Sequence, residues 1–84
     1  MKVKVRFRLL KMEDQLELDV PEQATVRALL ERLISIYGDE LKKLIGDAEQ
    51  GFRVMVVVNG KMAELGQDLK EGDEIFLILP AAGG

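Results

Sequence analysis

The chain has 84 residues, enough for one domain with a modest core of its own. It contains no cysteine, no histidine and a single serine, Ser35, which excludes disulfides, thiol catalysis and a Ser-His-Asp triad, and removes the commonest metal ligand. Its formal charge of −3 speaks against nucleic acid as a partner, and its 48% apolar and 32% charged residues have the balance of a soluble globular protein.

Residues Lys2 to Leu10 alternate: Val3, Val5, Phe7 and Leu9 share one face, and Lys2, Lys4, Arg6 and Arg8 the other. This is the pattern of a half-buried strand, and it leaves no unbroken apolar run for a secretory leader. No apolar run is long enough to cross a bilayer, so the protein is expected in the cytoplasm, away from membranes. A polar turn is expected around Glu13-Asp14. A second strand follows, with Leu16, Leu18 and Val20 alternating with Gln15, Glu17 and Asp19. Pairing the two antiparallel sets a basic outer face beside an acidic one.

Pro21 ends that strand, and Thr25 is placed to cap a helix. Val26, Leu29, Leu30, Leu33, Ile34 and Tyr37 form an apolar stripe at helical spacing. Gly38 stops the helix. Asp39 is expected to cap a short second one, Glu40 to Ile45, that closes at Gly46, with a loop over Asp47 to Gly51. Phe52 to Val58 is rich in β-branched residues and apolar on both faces, which predicts an inner strand. Asn59-Gly60 predicts a tight hairpin leading to a short strand near Lys61 to Ala63. The Asp73-Glu74 pair reads as a solvated turn before the last strand, Ile75 to Leu79, rather than as an acid/base dyad. Pro80 ends that strand. The order hairpin, helix, strand, short hairpin, strand predicts an α+β fold. One mixed sheet packs on one main helix, with the last strand parallel to the first in the middle. The expected division is a domain over 1–80 and a flexible tail over 81–84.

The side chains supply no catalytic constellation, and the glycines form no phosphate-cradling loop. The chain ends in a thin tail, Ala81-Ala82-Gly83-Gly84. Four residues beyond Pro80 reach roughly 13 Å. Without side chains, Gly83 and Gly84 can enter a narrow channel and present the α-carboxylate to another protein's chemistry. A carboxylate acylates only after activation, for instance as a mixed anhydride with AMP. Sulfur can then displace AMP to give a thiocarboxylate, or an amine can attack to give an amide. If Ile75, Leu77 and Leu79 face the helix, Phe76 and Ile78 face out. Met55 and Val57 then lie beside them, with Lys4, Arg6 and Arg8 as a basic border. An apolar patch at the base of the tail marks a protein contact, a homodimer interface or cover from a loop being the plainer alternatives.

Three segments carry a resemblance: Val58-Asn59-Gly60-Lys61, Leu69-Lys70-Glu71-Gly72-Asp73-Glu74-Ile75, and Pro80-Ala81-Ala82-Gly83-Gly84. They resemble the ubiquitin-like sulfur carriers of β-grasp fold, most of all the small subunit of molybdopterin synthase. The resemblance implies a protein that is not catalytic alone and binds no cofactor. An adenylating enzyme related to ubiquitin-activating enzymes would use ATP on Gly84, and a sulfurtransferase system would install the thiocarboxylate. The large synthase subunit would then accept Gly83-Gly84 for molybdenum or tungsten cofactor synthesis. It also implies that partners grip Phe76, Ile78, Pro80, Ala81, Ala82, Met55, Val57 and Arg6. The single proline of Leu79-Pro80 departs from the two prolines common in synthase subunits. The segment Asp39 to Gly51 is longer than in the thiamine-pathway carriers. Carriage for thiamine or tRNA thiolation, conjugation to lysines as a protein modifier, and a plain interaction module remain the alternative readings.

Overall fold

The computed structural model describes residues 1–80. Strand β1 (Lys2–Leu9) pairs antiparallel with β2 (Met12–Asp19), and the alternation of β1 is realised residue by residue: Val3, Val5, Phe7 and Leu9 are buried and the four cations are exposed. The turn between them is Leu10-Lys11, not Glu13-Asp14. A two-residue connection keeps Leu9 opposite Met12, so Glu13 and Asp14 are drawn into β2 and pair with Arg8 and Phe7.

Helix α1 (Val26–Tyr37) starts where expected, the Thr25 hydroxyl accepting a hydrogen bond from the Ala28 N–H at 3.2 Å. Val26, Leu29, Leu30 and Leu33 are buried against the inward side chains of β1. Each such side chain contributes about 2 kcal/mol through loss of apolar surface to water. Gly38 has φ of 75° and leads directly into α2 (Asp39–Ile45), so Asp39 sits in the first turn of α2 and does not cap it. Leu41 and Ile45 of α2 complete the core.

The next segment departs from the sequence reading. Asp47 to Gly51 is a loop only over 48–50, its two end residues being paired with each other. It belongs to a small hairpin, β3 (Gly46–Asp47) with β4 (Gly51–Phe52), separate from the main sheet. The inner strand β5 therefore starts at Met55 and runs only to Val58. The Arg53 N–H bonds back to the Ile45 carbonyl at 2.6 Å, which holds the chain to α2 instead of to the sheet. Phe52 and Val54 still pack on the core, half-buried.

β6 (Lys61–Ala63) and β7 (Glu74–Ile78) complete a five-stranded sheet in the order β2-β1-β7-β5-β6. β7 lies in the middle, parallel to β1 and antiparallel to β5. It is the β-grasp arrangement, with the helices on one side of the sheet and the other side open.

Candidate functional site

β7 alternates as its position demands. Ile75 and Leu77 are buried beneath α1, whereas Phe76 and Ile78 turn to the open side and are half-buried among their neighbours. The strand pairings arrange that side in rows. In one row, Met62, Val57, Phe76, Arg6 and Gln15 stand side by side across all five strands. In the next, Met55, Ile78, Arg8 and Glu13 stand side by side across four strands. The predicted patch of Phe76, Ile78, Met55 and Val57 is thus one contiguous surface, bordered by β1 cations. The Arg6 guanidinium carbon lies 4.7 Å from the centre of the Phe76 ring, a cation–π arrangement worth about 0.5–1 kcal/mol at an exposed site.

Met62 was missed from sequence. It is 61% exposed and extends the apolar row onto the edge strand. The signal was present: a two-residue turn at Asn59-Gly60 places Met62 opposite Val57, hence on the same face.

The start of β7 is locked by side chains. Asp73 is only 7% exposed, so its turn is not simply solvated. Its carboxylate accepts from the Lys70 N–H and from Asn59 Nδ2, both at 2.8 Å, while Asn59 Oδ1 accepts from the Glu74 N–H at 2.9 Å. Asn59 adopts φ of 51° and Gly60 of 85°, the positive values the tight turn requires. Gly72, at φ of 83°, donates its N–H to the Lys2 carbonyl at 2.7 Å. The Asn-Gly turn and the Leu-x-x-Gly-Asp-Glu turn therefore form one clamp, which fixes the register of the strand that leads to the tail.

Pro80 is exposed at the end of β7. Ala81, Ala82, Gly83 and Gly84 lie outside the described residues. Among the described residues no group of acidic side chains is arranged to hold a metal ion, and no helix is long and apolar enough to cross a membrane.

An open mixed sheet over one main helix, with an apolar face on its central strand, defines a protein of ubiquitin-like β-grasp fold. The ThiS family profile matches residues 5–84, and the chain belongs to that family. Among solved structures it is similar to a putative molybdopterin converting factor subunit 1 from Pyrococcus furiosus. That likeness has 30% identity and a TM-score of 0.73, and covers 95% of this chain and 98% of that one. It is also similar to a chain in the complex of subunits 1 and 2 of the molybdopterin-converting factor from Helicobacter pylori. There the identity is 27% and the TM-score 0.68, with both chains fully covered. The fold is shared as well with SAMP1 from Haloferax volcanii, at 23% identity and a TM-score of 0.82 over the full length of both chains. No curated protein sequence matches the chain.

Proposed function

We propose that this chain is a sulfur carrier and the small subunit of a molybdopterin synthase, and that its reactive group is the α-carboxylate of Gly84. The observation that carries the reading is the match to the ThiS family, which runs through Gly84. The likeness to molybdopterin converting factor subunits supports that branch of the family over carriage for thiamine.

The chemistry divides between proteins. The carboxylate attacks the α-phosphorus of ATP on an adenylating enzyme, giving an acyl adenylate and releasing pyrophosphate. A sulfide-equivalent sulfur then adds to the activated carbonyl and expels AMP, leaving a thiocarboxylate. The large synthase subunit takes the charged tail into its site and passes the sulfur to a pterin precursor. This chain contributes recognition and presentation. The apolar face of β7 docks the partner, the clamp at Asn59 and Asp73 holds β7 in register, and the glycines at 83 and 84 carry the carboxylate into the partner's channel without steric cost.

Reconstitution tests the reading. The thiocarboxylated chain, mixed with a large synthase subunit and its pterin precursor, is expected to lose its sulfur to the precursor. Retention of the sulfur through repeated trials with competent large subunits would contradict the assignment to this branch.

A further inference from the structure

The open face of β1 carries four cations, and the strand register sets each against one residue of β2. Lys2 stands opposite Asp19, Lys4 opposite Glu17 and Arg8 opposite Glu13, whereas Arg6 stands opposite Gln15. The acidic series on β2 is interrupted at the one position that would neutralise Arg6. Ion pairs form on either side, Lys2 with Glu17 and Arg8 with Glu13, each at 3.9 Å. Among the described residues Arg6 forms none. Its guanidinium instead lies over Phe76, the centre of the apolar row. A groove of about 460 Å³ opens there, lined among others by Lys4, Arg6, Gln15, Asn59, Glu74 and Phe76. The one acid in this wall, Glu74, is in register with Lys4, one row away from Arg6.

Docking on this face would strip water from Arg6. A guanidinium stays charged at any physiological pH, so covering it with a purely apolar surface would leave a desolvated charge without a partner. Stacking on Phe76 holds its fork of donors in place, which suits a planar, bidentate acceptor. We propose that the adenylating enzyme, docking on this face, sets an Asp or Glu carboxylate on Arg6 inside an otherwise apolar contact, and that Gln15 is neutral so that Arg6 stays free to receive it. This rests on the carrier reading, which supplies the occupant. A carboxylate at position 15 would satisfy Arg6 from within the chain and close the site.

The test is the affinity of the full chain for its adenylating enzyme, by titration calorimetry, for wild type, Gln15→Glu, Arg6→Gln, the double variant and Gln50→Glu. Gln50 lies in the turn between β3 and β4, off the main sheet, and its substitution makes the same charge change. Gln15→Glu is expected to weaken binding about tenfold with no fall in melting temperature, as for loss of a charge pair within an interface. Gln50→Glu is expected to bind as wild type. In the Arg6→Gln background, Gln15→Glu is expected to add no further loss. Unchanged binding by Gln15→Glu, or an equal loss with and without Arg6, overturns the inference. So does a wild-type homodimer that Gln15→Glu dissociates while enzyme binding stays unaltered. If wild type is adenylated and Gln15→Glu binds equally well, only this inference fails. If wild type neither binds nor is adenylated, the carrier reading fails and this inference with it.

Discussion

Tyr37 closes one end of the space between sheet and helix. Its ring stands edge-on to Phe7, with centroids 5.2 Å apart, and its hydroxyl donates to Asp14 Oδ2 at 2.5 Å. That bond, helped by the Gln15 N–H, holds the Asp14 carboxyl below its ordinary value of 3.8. Partial burial, then the bond to Asp14, push the Tyr37 hydroxyl up from 10.0 to about 12. A depressed acid stabilises the fold above its unfolded value and loses that contribution as pH falls through its folded value. A raised tyrosine stabilises below its unfolded value and loses that contribution as pH rises toward about 12. Tyr37→Phe is therefore expected to be less stable than wild type between the two ordinary values, 3.8 and 10.0, with the difference closing on either side. Paired denaturant titrations across that range check it. At the other end of the sheet Asp73 satisfies two donors, one of them the Lys70 backbone. Asp73→Ala leaves both without that acceptor and is expected to cost about 2 kcal/mol, read as a fall of roughly 10 °C in melting temperature.

Among the elements, the hairpin of β3 and β4 is the most tightly specified. Gly46 has φ of 84°, and a Cβ there would overlap the Gly51 carbonyl oxygen, a backbone atom that cannot step aside. Gly46→Ala is expected to destabilise by about 3 kcal/mol, whereas Gly38→Ala, with open space around its Cβ, should cost about 1 kcal/mol from its positive φ alone. Thermal melts of the two variants give the comparison. This hairpin is also where the sequence was least legible. Phe52 to Val58 is apolar but for Arg53 and rich in β-branched residues, and propensity alone does not find the break at Arg53-Val54. The break is made by a bond from the Arg53 N–H back to the Ile45 carbonyl, across the β3–β4 hairpin. The β1–β2 turn slipped for a similar reason: the polarity of Glu13-Asp14 suggested a turn, but the need to keep Leu9 and Met12 on one face placed it at Leu10-Lys11. By contrast β1, α1, the Asn59-Gly60 turn and β7 were readable because strict periodicity and turn chemistry agree there. The patch on β7 followed from alternation. Met62 and the neutral Gln15 required the register.

At the scale of the molecule, the two sides of one sheet do different work. The side under α1 holds the fold together, and under the proposed function the open side with the central strand's exit is what partner proteins would meet. The division predicts that the two can be separated by substitution. Ile78→Asp changes a half-buried, outward position on β7 and is expected to cost no more than about 1 kcal/mol in stability. It is expected to weaken binding to the adenylating enzyme by at least tenfold, because a charge is forced into an apolar contact. Parallel melts and binding titrations check this, and a variant that unfolds would be replaced by Phe76→Asp.

Under the proposed function the working group is the backbone carboxylate of Gly84, charged by other proteins. Intact mass of the purified chain, after incubation with its adenylating enzyme, ATP and a sulfur donor, tests it most directly. The expected result is a mass gain equal to the replacement of one oxygen by one sulfur, lost when Gly84 is deleted. An unchanged mass with an enzyme that charges related carriers, or a sulfur adduct that survives deletion of Gly84, would contradict it.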